Sequence, residues 1–427
     1  MRKIILIIIL ILPCSVYSQW VILTSGTSQN LNAVQFLDAQ TGYSVGAGGT
    51  VIKTTNGGNN WITLNTGSSA ALRGVYFFNS STGLVCGYSG TILRTTNGGG
   101  NWSTVTSGTS EHLLSLSFFG SSLGVSCGNL GTILYTSNGG VNWQTGQPTG
   151  YLVTFYSAFM VNASIGYCAG VNTIFSPLFA KTSDGGANWV YSSFLLNSNE
   201  GTLRGIHFFD TQNGIAVSNL WNGQGGVSRT TNGGVNWTTQ IFSLGLYGVD
   251  FPSLTIGYTV GLNGLIMKST DSGLSWVQQT SGTSVFLSSV DFVDSLTGYA
   301  CGDAGAMLKT TNGGITSVSG SQNQTPGEFS LYQNYPNPFN PTTKIKFDVP
   351  SDSRFRGNDN VTLMIFDILG REIAVLVNEQ LSPGTYEVEW DGSNCTSGVY
   401  FYKLVVSGAE PLTAGNYSET RKMILLK

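Results

Sequence analysis

One eight-residue string organises most of this 427-residue chain. Thr54-Thr55-Asn56-Gly57-Gly58-Asn59-Asn60-Trp61 recurs with small changes at Thr95 to Trp102, Thr136 to Trp143, Thr182 to Trp189, Thr230 to Trp237 and Ser269 to Trp276. Thr310 to Gly314 is a seventh copy that stops before its Trp. The spacing is about 40 to 50 residues, the length of a four-stranded propeller blade. Each unit reads as four short strands, A to D from the axis outward. In the first unit Leu31 to Leu37 alternates as strand A, Tyr43 to Val45 begins B, Thr50 to Thr54 is C, and Trp61 opens D.

The ends of the repeat region are complementary. The seventh unit has no strand D, whereas the first is preceded by an orphan strand, Trp20-Val21-Ile22-Leu23. That strand runs into Thr24-Ser25-Gly26-Thr27-Ser28, just as Trp102 runs into Thr106-Ser107-Gly108-Thr109-Ser110. The N-terminal strand is therefore expected to complete the last blade, joining the chain ends and removing an open sheet edge. The expected fold is all-β: a seven-bladed propeller over residues 19–317, closed by its N-terminal strand, then a small β-sandwich.

The repeated Ser/Thr-x-Asp/Asn-x-Gly-x-x-Trp string resembles the Asp-box, found on the C–D turn of many propellers. In it an Asn or Asp side chain caps turn amides, Gly takes a positive φ, and Trp packs beneath. The units resemble those of photosystem assembly-factor and sortilin-like propellers, which implies a protein-binding scaffold. Asp-boxes also occur in sialidases, and xyloglucan-cleaving hydrolases share the repeat. A sialidase needs an arginine cluster and a Tyr/Glu nucleophilic pair. Here Arg94 and Arg229 share a repeat position with Lys53, Lys268 and Lys309, and Arg73 and Arg204 share another, within Leu-Arg-Gly. That distribution speaks for structure over sialidase chemistry.

Arg2 and Lys3 precede an apolar run from Ile4 to Leu12, and Val16 and Ser18 stand at the positions of small residues before a cut at Gln19. Residues 1–18 are expected to be a cleaved signal peptide. Lipoprotein processing at Cys14 is the alternative, disfavoured by Pro13. No later run is apolar enough to span a bilayer. Charged residues make up only 10% of the chain and the net charge is −3, so neither nucleic acid nor an anionic membrane is an expected partner.

After Gly314 the composition changes. A Ser/Gln/Gly linker, placed at residues 318–327, leads into Tyr335-Pro336-Asn337-Pro338-Phe339-Asn340-Pro341 and a series of alternating strands. This segment, residues 328–427, resembles the type A C-terminal sorting domain of the Bacteroidetes type IX secretion system. Asp367-Ile368-Leu369-Gly370-Arg371, Ser382-Pro383-Gly384-Thr385-Tyr386 and Ser397-Gly398-Val399-Tyr400-Phe401-Tyr402-Lys403 match it in order, as does the basic-apolar end from Arg421 to Lys427. The resemblance implies export through the outer membrane, with Pro383, Gly384, Tyr386, Gly398, Tyr400, Lys403, Lys422 and Lys427 contributing to the signal. The machinery of that system is then a partner, and the mature protein is secreted or surface-held. The loop Ser351 to Asn360 departs from the pattern by its length and charge.

Most residues capable of chemistry fall at positions of the repeat. Cys86, Cys127, Cys168 and Cys301 fall at the strand B position held by Val45, Val217 and Val260, so they read as small core residues and not as disulfides. Asp38, Asp210 and Asp294 share a turn position with Asn79 and Asn162. One site in strand A is expected to face the central channel: Gln35, Tyr76, Ser117, Phe159, His207, Asp250 and Asp291 around the ring. His207, Asp250 and Asp291 suit a divalent cation or acid–base work, but a polar channel lining is the preferred reading, with no metal and no cofactor. Blades four and five carry long B–C connections, Val171 to Leu178 and Ser218 to Gly226, and Tyr191 to Gly201 lengthens the link between them. Their aromatics Phe175, Tyr191, Phe194 and Trp221 are the candidate partner site. The expected function is a non-enzymatic binding or adhesion propeller, monomeric, recognising protein or glycan. A glycoside hydrolase using the channel acids and a protein-assembly scaffold are the alternatives.

Overall fold

The computed structural model describes residues 20–147, 152–174, 176–193, 201–314, 319–321, 327–350, 360–381, 384–392, 395–407 and 417–426. The segment expected to be a signal peptide, Phe175, Phe194, Pro383, Lys427 and nearly all of the 351–360 loop lie outside them.

Seven four-stranded antiparallel sheets follow one another along the repeat region. Blade one is Leu31–Phe36, Gly42–Gly46, Val51–Thr54 and Ile62–Leu64, and blades two to six repeat this order. Blade seven takes Leu287–Phe292, Gly298–Gly302 and Met307–Thr310 from one end of the repeat and Val21–Leu23 from the other. Val21 stands opposite Lys309 and Leu23 opposite Met307, so the N-terminal strand is the outer strand of the last blade.

The repeat string builds the C–D turn of every blade. In blade one the Thr54 hydroxyl accepts the Gly58 amide at 2.9 Å and the Asn56 side-chain oxygen accepts the Asn60 amide at 2.9 Å. Gly58 sits at φ +85°, a conformation that favours glycine. The Trp that follows meets a Phe at the end of strand A of its own blade edge to face: Trp61 on Phe36, Trp102 on Phe77, Trp143 on Phe118, Trp237 on Phe208 and, just past the strand, Trp276 on Phe251. Blade seven has the turn without the Trp, and Trp20 supplies it. Its ring lies 5.7 Å from that of Phe292 at 87°, fully buried, and its indole N–H donates to Gln279 Oε1 at 2.9 Å.

Blades are joined by a second aromatic pairing. Strand B tyrosines stack on the strand A Phe of the next blade: Tyr43 on Phe77, Tyr167 on Phe208, Tyr258 on Phe292 and, across the closure, Tyr299 on Phe36 with ring centroids 3.4 Å apart. Each such pair adds about 0.5–1.5 kcal/mol beyond area burial. The strand B glycine beside each Phe is required by this packing, since a Cβ on Gly42 would stand 2.5 Å from the Phe36 ring.

Residues Ser319–Ser321, inside the expected linker, pair with Thr385–Glu387 as an edge strand of the C-terminal unit. That unit has two four-stranded sheets. One is ordered Ser319–Ser321, Gly384–Asp391, Thr342–Val349, Ser330–Leu331, and the other Glu372–Gln380, Asn360–Asp367, Gly398–Ser407, Tyr417–Leu425. Phe339, Phe347, Ile365, Trp390, Tyr402 and Leu425 form a single core between them, which makes the unit a sandwich. Among the described residues no helix is long and apolar enough to cross a membrane.

Candidate functional site

The channel position of strand A is a belt between blades. The Gln35 side-chain oxygen accepts the Phe77 amide at 2.6 Å, the Ser117 hydroxyl the Met160 amide at 2.9 Å, the Asp250 carboxylate the Phe292 amide at 2.9 Å, and the Asp291 carboxylate the Phe36 amide at 2.7 Å. The Tyr76 hydroxyl reaches the Phe118 carbonyl at 3.5 Å, and the Phe159 ring packs against Phe208. Each residue bonds or packs to strand A of the next blade, and Asp291 returns the belt to blade one. These side chains therefore do more than line a wet channel: they hold the ring.

Burial sets the charge of this belt. It pushes His207 down to about 4, so the imidazole is neutral at pH 7. It raises Asp250 to about 6, and burial reinforced by the Asp250 charge lifts Asp291 well above the usual carboxylate range. His207 Nδ1 lies 3.6 Å from Asp250 Oδ1. With one oxygen of each Asp held by a backbone amide, the pair is poorly placed as the two free acids that glycoside hydrolysis needs. Among the described residues no group of three or more His, Cys, Asp or Glu is arranged to hold a metal ion.

A second ring, three residues earlier, lies at the channel mouth. Every strand A has a register shift there, between Leu31 and Ala33 in blade one and between Leu203 and Gly205 in blade five, for example. A β-bulge re-aims its extra residue. The bulged residues are Asn32, Arg73, Leu114, Tyr156, Arg204, Tyr247 and Ser288, and all seven line one cavity of about 340 Å³ that has no acidic lining residue. Arg204 lies between two rings, its Cζ 4.1 Å from the Tyr156 centroid and 5.0 Å from that of Tyr247. Its Nε is buried and has no hydrogen-bond acceptor among the described residues. Arg73 donates to Asn32 Oδ1 at 2.9 Å and lies 5.5 Å from the Tyr88 ring, which stacks on His112. Phe286 meets Tyr247 edge to face.

This mouth suits an anion. A guanidinium offers a planar fork of donors matched to a carboxylate, and flanking aromatic faces lower the cost of holding it still. The sequence showed Arg73 and Arg204 at one repeat position but gave that position no role. Around the ring the same position is held by Tyr156 and Tyr247 as well.

The loop aromatics are distributed differently from expectation. The long B–C connections are mostly strand. Gly166–Asn172 and Pro177–Thr182 in blade four, and Gly214–Leu220 and Gly225–Thr230 in blade five, leave only short turns. Trp221 stands in the second turn, 58% exposed. Tyr191 is not in a connection: it lies on strand D of blade four, Val190–Ser193, and packs near Phe155 in the core between blades three and four. It is withdrawn as a surface contact, because its ring is needed beneath the sheet.

The cysteine and turn-aspartate candidates are structural. Cys86, Cys127, Cys168 and Cys301 are buried free thiols. Asp38 accepts the amides of Gln40 and Thr41, both at 2.7 Å, and Asp210 and Asp294 do the same in their turns. In the C-terminal unit Tyr386 stacks on Phe347 beyond Gly384. Tyr400, next but one to Gly398, donates to the Thr396 carbonyl at 2.8 Å. Lys403 and Lys422 stand on neighbouring strands, opposite Thr420 and Phe401.

Two families of known proteins match parts of the chain. The photosynthesis system II assembly factor YCF48 family matches residues 12–110, and the secretion system C-terminal sorting domain family matches residues 333–425. No curated protein matches the chain. Among solved structures, YCF48 bound to D1 peptide superposes with a TM-score of 0.58 at 20% identity, over 69% of this chain and 96% of that one. YCF48 from Cyanidioschyzon merolae gives 0.55 at 20% identity over 68% and 98%, and the WD40 β-propeller domain of Doa1 gives 0.53 at 15% identity over 68% and 94%. The chain thus carries a YCF48-like propeller and a type IX sorting domain, and the latter implies export.

Proposed function

We propose that this is an exported, non-catalytic binding protein whose propeller takes an acidic peptide segment at the channel mouth. Its domain plan is a signal peptide at 1–18, a propeller at 19–317 and a C-terminal sorting unit that takes Ser319–Ser321, from the segment expected as a linker, as an edge strand and continues over 328–427. The observation that carries the reading is Arg204, held between Tyr156 and Tyr247 in a cavity without acidic residues, with one buried donor that no acceptor meets. The fold likeness to a propeller solved with a peptide supports a peptide as ligand. The hydrolase alternative loses ground because the channel acids are engaged between blades.

The test uses the full-length mature chain and two fluorescein-labelled Gly/Ser octapeptides, one with a central Asp and one with Asn. Anisotropy should show the Asp peptide binding tighter, and Arg204→Gln should weaken it by about tenfold or more while leaving the Asn peptide unchanged. Equal affinity of the wild type for both peptides would overturn the reading.

A further inference from the structure

Blades four and five differ from the others in the same way and at the same end. In blade one strand A starts at Leu31, one residue before the bulged Asn32, and strand B ends opposite it at Gly46. In blade four strand A starts at Val153, three residues before the bulged Tyr156, and pairs with Asn172. In blade five it starts at Gly201, three before Arg204, and pairs with Leu220. Strand C gains length to match, from Pro177 and from Gly225. Two extra residues per strand raise both hairpins about 7 Å above the rim.

The raised part is internally complete. Val153, Val171 and Leu220 are buried in it, and the Asn172 and Asn222 side chains cap its turns through the Ile174, Ser176 and Gln224 amides. At its crest stand Ile174, 72% exposed, and Trp221, 58% exposed. Counted along strand A, both crests lie about three residues, roughly 10 Å, above the mouth ring. Tyr156 and Arg204, the ring and the cation that the mouth cavity sets together, are the mouth residues of these same two blades.

We infer that these hairpins form an apolar wall that reads a second feature of the ligand: a large apolar side chain two or three residues from the carboxylate held at Arg204. An extended chain advances about 3.3 Å per residue. A peptide with its acid in the mouth and its backbone rising along the wall therefore brings such a side chain level with Ile174 and Trp221. The positive, acid-free mouth beneath selects a peptide of this composition over a purely apolar partner. This inference rests on the acidic-peptide reading above and deepens it.

The experiment is display selection from a library of random octapeptides against three full-length mature proteins: wild type, Ile174→Ser/Trp221→Ser, and Arg204→Gln. Thermal melts of all three accompany it, and the wall variant should melt within about 2 °C of wild type. The wild type should enrich peptides with Asp or Glu and a Trp, Phe, Leu or Ile two or three residues away. The wall variant should keep the acidic preference, lose the apolar one, and bind the best wild-type peptide about tenfold more weakly. Acidic enrichment without apolar spacing in the wild type overturns the wall while leaving the mouth reading standing. So does a wall variant that still folds and keeps the spacing, or one that unfolds, since the crest would then be core. No acidic enrichment in the wild type overturns both.

Discussion

Trp20→Ala tests whether one residue closes the ring. Trp20 is fully buried between Tyr258 and Phe292, far in sequence from both. A buried aromatic removes about 150–250 Å² from water, and truncating Trp to Ala in a core costs about 3–5 kcal/mol. The substitution also strips the indole donor from the buried Gln279 oxygen, adding roughly 1 kcal/mol. Trp61, at the equivalent place in blade one, is only partly buried, and its indole N–H has no acceptor among the described residues. Trp61→Ala should therefore cost about half as much. At roughly 2–4 °C per kcal/mol for a domain of this size, Trp20→Ala should lower Tm by about 10 °C and Trp61→Ala by about 5 °C. Trp20→Phe, keeping the ring contact but not the hydrogen bond, should fall between wild type and Trp20→Ala. Calorimetry of the mature chain measures all three. If Trp20→Ala costs no more than Trp61→Ala, the N-terminal strand is an accessory and not the closure.

The channel acids and the sorting domain yield further expectations. Asp250, raised to about 6, binds its proton more tightly folded than unfolded, so it lowers stability as pH rises from about 4 to about 6 and the loss persists above. His207, lowered to about 4, works in the opposite sense, adding stability as pH rises from about 4 to 6.5. Asp250→Asn keeps an oxygen for the Phe292 amide and removes only the first effect. It should melt higher than wild type at pH 7.5, by an amount equivalent to about 1–3 kcal/mol, and the advantage should vanish near pH 4. A destabilised Asp250→Asn at pH 7.5 would show that the carboxylate charge supports the belt. Deleting residues 328–427 should leave the propeller in the periplasm of its host, and normal extracellular levels of the truncated protein in a fractionation blot would contradict that.

The fold was legible because it is written seven times. Each turn string carries its own capping hydroxyl, acceptor and glycine, so seven aligned copies reveal the blade without any knowledge of packing. The missing Trp after Gly314 and the surplus Trp20 together disclosed the closure. The belt was harder to read. Gln35, Ser117, Asp250 and Asp291 look chemically unlike, yet all present one oxygen to one amide, and sequence cannot show that a varied position has a constant acceptor role. The mouth ring was harder still. In an unbroken strand residue 32 would point away from residue 35, since side chains alternate, and only the bulge turns Arg73 and Arg204 into the channel. Tyr191 was misjudged because lengthened strands and lengthened loops look the same in a sequence.

The repeat and its exceptions divide the work between them. A ring of similar blades carries a Tyr–Phe stack, a belt hydrogen bond or both at six of its seven interfaces, so its stability is spread around the ring. Evenness also makes a poor binding site, because a ligand meets a similar surface on every side. The mouth breaks that symmetry with charge at blades two and five, through Arg73 and Arg204. The hairpins break it with height at blades four and five, through Ile174 and Trp221. Blade five alone has both. An asymmetric ligand is thus best oriented where these two departures coincide, and Arg204 is the residue on which substitution should alter recognition most while disturbing the ring least.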